Sequence, residues 1–361
     1  MTYRDTPARA RTAGQADWPE ISQGGARVSV RQELPRLLSL FCGAGGLDWG
    51  FHEEGFRTGL AIDIAPAAVN TYKANFRRAG VLCADLMALG PAGVIRAFRD
   101  AVEPGSHIGV IGGPPCQGFS RANNGSSAND PRNRLPALYL DIIRELQRSY
   151  EVEFAVFENV PGIRDAKHAQ TYAALLETFT GLGMEITESE LCALDYGVPQ
   201  TRRRVVLAAL RSGRGYGPVK LRRRKGPETV REAIRYLAQP AYFRKDLQAA
   251  DIPVHPNHWT MQPKSPRFNN PAAIRTDGRS FKKLAWDAPS PTVAFGHREI
   301  HVHPSGRRRL SIYEAMLLQG FPSDYVLHGN LSEQVEQVSN AVPPMLAKSI
   351  AAAVRRALRG D

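Results

Sequence analysis

From Leu34 to Leu210, short apolar runs alternate with amphipathic stretches, and this alternation constrains the fold more than any other feature of the chain. Runs at residues 36–41, 59–64, 81–84, 107–112, 154–157, 186–191 and 204–210 read as strands. The stretches at 46–54, 65–75, 91–101, 136–148 and 168–180 carry apolar residues at helical spacing. Parallel strands need a crossover, so repeated strand–helix units imply a mostly parallel sheet with helices on both faces. Residues 1–33 are polar, lack periodicity and read as an N-terminal tail. After Leu210 the alternation stops. Residues 211–305 are rich in Pro, Gly, Arg and His and read as a small irregular domain. Helical texture resumes at 311–318 and 343–358, so residues 306–361 are expected to return to the domain built by 34–210.

Charge divides along the same line. The chain carries 47 Lys+Arg against 35 Asp+Glu, a net of +12. Residues 201–310 hold 24 Lys+Arg and 7 Asp+Glu, a net of +17, while the other 251 residues carry 23 and 28, a net of −5. Three runs lie in the basic stretch: Arg202-Arg203-Arg204, Arg222-Arg223-Arg224-Lys225 and Arg307-Arg308-Arg309. One such run reads as solvated surface. Three in one segment invite a polyanion, and duplex DNA, with a phosphate charge every ~1.7 Å, fits. No apolar run approaches the ~20 residues of a membrane span, and no apolar signal core opens the chain. The four cysteines, Cys42, Cys83, Cys116 and Cys192, form no C-x-x-C pair. His255, His258, His301 and His303 lack cysteine or carboxylate partners at ligand spacing. The expectation is a soluble cytoplasmic monomer without a metal site, a disulfide framework or a membrane association.

The candidate chemistry lies at strand ends. Leu37-Leu38-Ser39-Leu40-Phe41-Cys42-Gly43-Ala44-Gly45-Gly46 runs from a strand through a glycine turn into a helix, whose N-terminus offers free N–H groups. A ligand-binding turn and a purely structural one both fit it, and it is not the G-x-G-x-x-G dinucleotide fingerprint. The next strand ends at Asp63, an offset at which a carboxylate bonds ribose hydroxyls in doubly wound folds. A third ends at Asp85. Each aspartate alone also fits a helix cap. Three consecutive strand ends of this kind point to an adenosine-containing ligand at the carboxyl edge of the sheet. The fourth strand leads into Gly112-Gly113-Pro114-Pro115-Cys116-Gln117-Gly118-Phe119-Ser120, a loop in which burying a thiol is difficult and a nucleophilic thiolate is plausible. The fifth ends Phe157-Glu158-Asn159, where a carboxyl can face the same pocket as acid or hydrogen-bond donor. In Gln200-Thr201-Arg202-Arg203-Arg204 the strand period puts Arg202 and Arg204 on one face and Arg203 on the other.

In this order the motifs resemble those of the cytosine-C5 DNA methyltransferases of bacterial restriction–modification systems. The resemblance covers residues 37–210 and 290–350. Phe41-x-Gly43-x-Gly45-Gly46 is similar to the family's S-adenosylmethionine loop, and Pro115-Cys116-Gln117 to its catalytic loop. Glu158-Asn159-Val160 and Gln200-x-Arg202-x-Arg204 match further motifs. So do Arg309-Leu310-Ser311 through Glu314 to Gln319-Gly320-Phe321-Pro322, and the closing Gln337-Val338-Ser339-Asn340-Ala341-Val342-Pro343-Pro344. Three departures stand out: Ser39 where the family often has Asp, Asp63 where it usually has Glu, and Ser339 where a glycine precedes the asparagine.

The resemblance implies a Rossmann-like α/β methyltransferase domain with a mostly parallel sheet, plus a small irregular target-recognition domain at 211–305. It implies catalysis by Cys116, Glu158, Arg202 and Arg204 on a cytosine flipped out of double-stranded DNA. It implies that Phe41, Gly43, Gly45, Gly46, Asp63, Asp85, Pro115 and Asn340 contact S-adenosylmethionine. DNA contacts are expected from Gln117, Ser120, Arg222, Arg223, Arg224 and Thr292, and Asn159 is expected to hold its loop rather than touch the base. A cognate restriction endonuclease acting on the same sequence, without a stable complex, is an expected companion. Three other readings compete, one of them a nicotinamide-dependent dehydrogenase, which needs G-x-G-x-x-G and does not explain Pro115-Cys116-Gln117. The same chemistry on tRNA lacks the Cys-Phe-Thr signature of that branch, and a catalytically silent DNA-binding protein would have no need of Cys116, Glu158 and both arginines.

Overall fold

Seven strands form one sheet in the order β3-β2-β1-β4-β5-β7-β6. They are β1 (Arg36–Leu40), β2 (Arg57–Asp63), β3 (Gly80–Cys83), β4 (His107–Gly112), β5 (Glu151–Asn159), β6 (Met184–Cys192) and β7 (Arg203–Arg211). Strands β1 to β5 pair in parallel, whereas β7 runs antiparallel to both β5 and β6. The computed structural model describes residues 33–115, 134–276, 281–292 and 301–361, and Leu34–Asp361 form one compact unit.

Alternation along each strand distributes apolar side chains to two covered faces. Leu38, Ile62, Val110, Phe157 and Leu207 pack on one face with Val94, Phe98, Ile142 and Phe179 from α3 (Leu86–Arg99), α4 (Leu135–Leu146) and α5 (Ala169–Gly181). Leu37, Ile111, Phe154, Val156 and Val206 face the other way, against Phe51 of α1 (Gly46–Glu53) and Leu346 and Ile350 of α9 (Pro344–Arg359). Each fully buried Phe or Leu in these layers contributes roughly 1.5–3 kcal/mol of transfer free energy. A third cluster joins α2 (Pro66–Asn75) to α7 (Ile312–Leu318) and α8 (Leu331–Asn340) through Tyr72, Phe76, Met316, Phe321, Tyr325 and Val338.

Observed elements fall within a few residues of the expected ones, with two informative differences. Helix α3 starts at Leu86 rather than at 91, because Asp85 caps it by accepting from the Met87 N–H at 2.8 Å. Gly90, with φ 59° and ψ 175°, then separates that first turn from the helix beginning at Pro91. Helix α8 has no counterpart among the expected helices. Its start is marked by a reciprocal capping box between Asn330 and Glu333. Within the described part of 211–305, past the end of β7, regular structure is confined to α6 (Val230–Ile234), single 3-10 turns and the two-residue strands β8 (Ala241–Tyr242), β9 (Trp259–Thr260), β10 (Lys282–Lys283) and β11 (His301–Val302). Strand β10 pairs in parallel with β11.

Sheet order fixes where a ligand is expected. The chain leaves β1 toward β2 and β3, then crosses back to β4 on the other side of β1. Ligands of open α/β sheets bind outside the carboxyl ends of the strands at such a switch point.

Candidate active site

The turn after β1 bends sharply. Phe41 takes φ 55°, a left-handed conformation rare for a non-glycine residue, and Gly43 follows at φ 53°. The glycines of this turn do different work. A Cβ on Gly43 would meet nothing within 4 Å, so its open side is available to a ligand. One on Gly45 would lie 2.5 Å from the Phe76 ring, and one on Gly46 2.3 Å from the Val342 carbonyl oxygen. Those two glycines therefore let aromatic rings and the closing motif pack against the turn. Tyr325 reinforces it from the same side, its hydroxyl donating to the Ala44 carbonyl.

At the end of β2 both Asp63 oxygens are engaged. Oδ2 accepts from the Gly43 N–H at 2.8 Å and Oδ1 from the Ala65 N–H at 2.9 Å. Burial pushes this carboxyl up from its ordinary value, against the backbone N–H groups of Ala65 and Gly43 that hold it down. Each oxygen keeps a second lone pair for a ligand hydroxyl. Asp85 is exposed at the end of β3 and caps α3. Beside these carboxylates stand two apolar side chains that the sequence reading passed over: Ile64 is 64 % exposed and Met87 42 %. For Ile64 the available signal was a large aliphatic residue directly after a strand-end carboxylate, outside any helix. Asn340 is exposed at the end of α8, two residues before the Val342 carbonyl that touches Gly46.

Behind the turn sits a buried carboxylate that the sequence did not single out. Asp48 of α1 accepts hydrogen bonds from Ser39 Oγ at 2.8 Å, Tyr72 Oη at 2.7 Å and Thr58 Oγ1 at 3.4 Å. Burial raises its pKa to about 6 in spite of those hydroxyls. This contact accounts for Ser39. An aspartate there would bring a second carboxylate to hydrogen-bonding range of Asp48 in a buried site, which like-charge repulsion opposes. The neighbouring Cys42 thiol is also pushed well up, by burial first and then by the charges of Asp63 and Asp48. It is a poor thiolate, and its environment is unsuited to a nucleophile.

Strands β4, β5 and β7 bring the remaining groups together. Glu158 is buried, and its Oε1 accepts from Arg204 Nε at 2.8 Å. Its Oε2 lies 2.8 Å from the point a Cβ on Gly113 would occupy, so any side chain at 113 would displace the carboxyl. Asn159 Nδ2 donates to the Pro114 carbonyl at 3.2 Å, and its Oδ1 accepts from the Val160 N–H at 2.9 Å. The start of the loop is thus tied to the end of β5. Pro115 is its last described residue; Cys116, Gln117 and Ser120 lie outside the described residues. Arg202 is 2 % exposed and Arg204 9 %, whereas Arg203 between them is exposed and pairs with Glu190 at 3.2 Å. The antiparallel β7 delivers the arginines to the same edge at which β5 delivers Glu158.

Two glutamines join motifs far apart in the chain. Gln200 Nε2 donates to the Leu318 carbonyl at 3.1 Å and to Gln319 Oε1 at 2.8 Å, and Gln319 Nε2 donates to the Ala341 carbonyl at 2.7 Å. The Ser290 N–H donates to the Pro199 carbonyl, and the Thr201 N–H to the Ser290 carbonyl, at 2.8 and 2.9 Å. The return of the basic segment is therefore fastened immediately before Arg202, with Thr292 half-buried two residues later. Arg222 and Arg223 are exposed and Arg224 is half-buried, its N–H donating to the Asp195 carbonyl at 3.0 Å. Arg222 lies beside Arg356 of α9, whose guanidinium pKa is lowered by burial and then by the charges of Arg222 and Arg355.

The histidines serve the fold. His258 bridges Ser311 Oγ at 2.9 Å and the Ala238 carbonyl at 2.8 Å. His303 Nδ1 lies 2.9 Å from Ser305 Oγ, and the His255 ring stacks on Tyr313. Among the described residues no group of three His, Cys, Asp or Glu side chains gathers at metal-binding geometry, and no helix is long and apolar enough to cross a membrane.

Comparison with known proteins agrees with this geometry. Residues 36–356 match the family model for C-5 cytosine-specific DNA methylase. The Type II methyltransferase M1.HphI of Haemophilus parahaemolyticus is 33% identical over 337 residues, covering 88% of this chain and 86% of that protein. M.NmeDI of Neisseria meningitidis serogroup C, also a Type II methyltransferase, is 30% identical over 359 residues, 90% of this chain and 84% of the relative. Among solved structures, a prophage-encoded protein of E. coli superposes with a TM-score of 0.73 at 24% identity, over 90% of this chain and 100% of that one. The DNMT2 of Spodoptera frugiperda does so at 0.62 and 18%, over 89% and 100%.

Proposed function

The chain belongs to the C-5 cytosine-specific DNA methylase family, and from that premise we propose that it methylates C5 of a cytosine flipped out of a specific duplex DNA sequence, through a covalent adduct with Cys116. S-adenosylmethionine, when bound, supplies an electrophilic methyl group on its sulfonium. The carboxyl edge suits such a ligand: Gly43 is open, Asp63 is held by two backbone N–H groups with lone pairs to spare, and Ile64 presents an apolar surface for a base ring. Phe41, Gly43 and Asp63, with Gly45, Gly46, Asp85, Pro115 and Asn340 around them, would hold it.

Cytosine C5 is a weak nucleophile, and the residues at the ends of β4, β5 and β7 answer that difficulty. The Cys116 thiolate adds to C6, forming the S–C6 bond and moving the ring electrons toward N3. Glu158 shares a proton with N3, so negative charge does not accumulate on the ring and C5 gains enamine character. Arg204 holds Glu158 in place and, with Arg202, presents positive charge to the cytosine carbonyl or an adjacent phosphate. After C5 is methylated its proton leaves to solvent, the S–C6 bond breaks and the thiolate is regenerated. A stacked base offers neither C6 nor N3 to these groups, hence the flipping, at a cost of a few kcal/mol.

The observation that carries this reading is the Glu158–Arg204 pair set against Gly113, three residues before Cys116. A cognate restriction endonuclease acting on the same sequence fits the names of the Type II relatives. Transfer of a tritiated methyl group from S-adenosylmethionine to duplex DNA, but not to tRNA, is the expected result. Cys116→Ala should abolish both turnover and the covalent trap on 5-fluorocytosine DNA. Label in tRNA alone, or a Cys116→Ala protein with near-normal turnover, would overturn the assignment.

A further inference from the structure

Two of the three arginine runs that make 201–310 basic are poor guides to where a polyanion meets it, because each has members that are buried. Arg202 and Arg204 are buried at the catalytic edge. Arg308 is buried in a two-pronged pair with Glu314, both contacts at 2.7 Å. A different set of cations gathers around one ring. The Arg267 and Arg309 guanidinium carbons lie over Phe281, 5.6 and 4.9 Å from its centroid. Phe281 packs edge-on against Phe268, which anchors the ring in a small core with Ile274 and Val302. Lys282 follows directly and pairs in register with His301. The local field is positive: the pKa of His301 falls to about 4, through burial first and then the charges of Lys282 and Arg309. Arg267 is exposed and forms no ion pair among the described residues.

A guanidinium lying on an aromatic face has its plane set in advance, so it loses less rotamer freedom on binding and keeps its N–H edge available. That edge matches two phosphate oxygens. We propose that Arg267, seated on Phe281 and backed by Arg309 and Lys282, is a phosphate contact of this segment on duplex DNA. The inference rests on the reading of duplex DNA as substrate and adds a specific contact to it. A phosphate contact positions the duplex without reading bases.

The test is fluorescence anisotropy of the full-length protein on its duplex across a salt series, with sequencing of the methylated sites. Arg267→Ala should weaken binding several-fold and reduce the slope of log K against log salt by about 0.9, the increment of one phosphate. Arg267→Lys should restore the slope, and Phe281→Leu should keep the slope while weakening binding less than Arg267→Ala. The methylated sequence should stay the same throughout, and Arg78→Ala, an equal loss of charge outside the segment, should leave the slope unchanged. An unchanged slope in Arg267→Ala, or a relaxed methylated sequence, overturns the proposal. Binding is read without methyl transfer. A wild-type protein that binds duplex DNA with this slope yet methylates none of it would therefore sink the proposed function and leave this inference standing.

Discussion

The carboxyl edge of the sheet and the basic segment beyond β7 handle charge in opposite ways. At the edge there are few carboxyl groups, and each is held by neighbours that strand order brings alongside: Asp63 by two N–H groups, Glu158 by Arg204, Asp48 by three hydroxyls. In the segment there are many cations on two-residue strands and short turns, and side chains there are fixed by cross-links to other elements. Arg308 is set by Glu314 of α7, and the Asn257 side chain by the Leu327 carbonyl and Gln334. Strand ends can place a reactive group to a fraction of an ångström with little supporting sequence. A loop-built surface needs its own network of buried polar contacts before it can present anything in a fixed place.

The comparison can be broken most sharply at Glu158. Glu158→Gln keeps the shape and removes the shareable proton, so single-turnover methylation should fall by roughly 10²–10⁴, the usual range for an acid–base group, with far-UV circular dichroism unchanged. A loss under tenfold would mean the edge does not depend on that carboxyl.

The two regions should also answer pH with opposite signs. Asp48 is an acid whose pKa is raised from 3.8 to about 6 in the fold. The native state therefore binds the extra proton, and the stability this contributes is complete near pH 3.8 and lost as pH rises through about 6. The difference amounts to about 3 kcal/mol at most, taking ~1.4 kcal/mol per pKa unit. Asp48→Asn should flatten the decline in urea midpoint between pH 5 and 7.5; a slope identical to wild type would remove Asp48 from the account.

His301 and His303 work the other way. Burial is the leading cause for both and lowers each pKa to about 4. Their contribution is present above the unfolded value of 6.5 and lost as pH falls through about 4. In Asp48→Asn this acid-side loss should stand unopposed, and His303→Gln in that background should reduce it. If acid unfolding is indifferent to His303, the segment's histidines are not its weak point.

The smallest effect concerns packing between the first and closing motifs. Gly46→Ala would place a methyl 2.3 Å from the Val342 carbonyl oxygen, with Ala341 Cβ also close. Accommodating it should cost about 1–3 kcal/mol, as overpacking typically does, and should raise the KM for S-adenosylmethionine more than it lowers kcat. Equal stability in the variant would show that α9 can shift away without strain.

Much of the edge was legible because strand periodicity and order are local properties. The alternation that placed Arg202 and Arg204 on one face and Arg203 on the other follows from period two alone, and burial follows the same pattern. The exits of β1, β2 and β3 could be named because each strand is a short apolar run followed by a turn residue. Helix α8 went unnoticed because its mean hydropathy is low, although Asn330-x-x-Glu333 offered a capping signal. Asp48 was hidden by its position in α1, where an acidic residue in the first turn suits the helix dipole and needs no further explanation.

By itself, then, the sequence determined the strand–helix succession, the identity of the group at each strand exit and the division of charge between body and basic segment. These depend on neighbours within a few residues. Only the tertiary structure decided which cations are buried and which remain available. It alone revealed that Ser39 belongs with Asp48, and that Gln200, Gln319 and Ala341 join three distant motifs. Such contacts link residues far apart in the chain, and in the irregular segment no periodicity restricts the pairing. A run of three arginines therefore looks the same in sequence whether its middle member meets DNA or, like Arg308, lies buried against a glutamate.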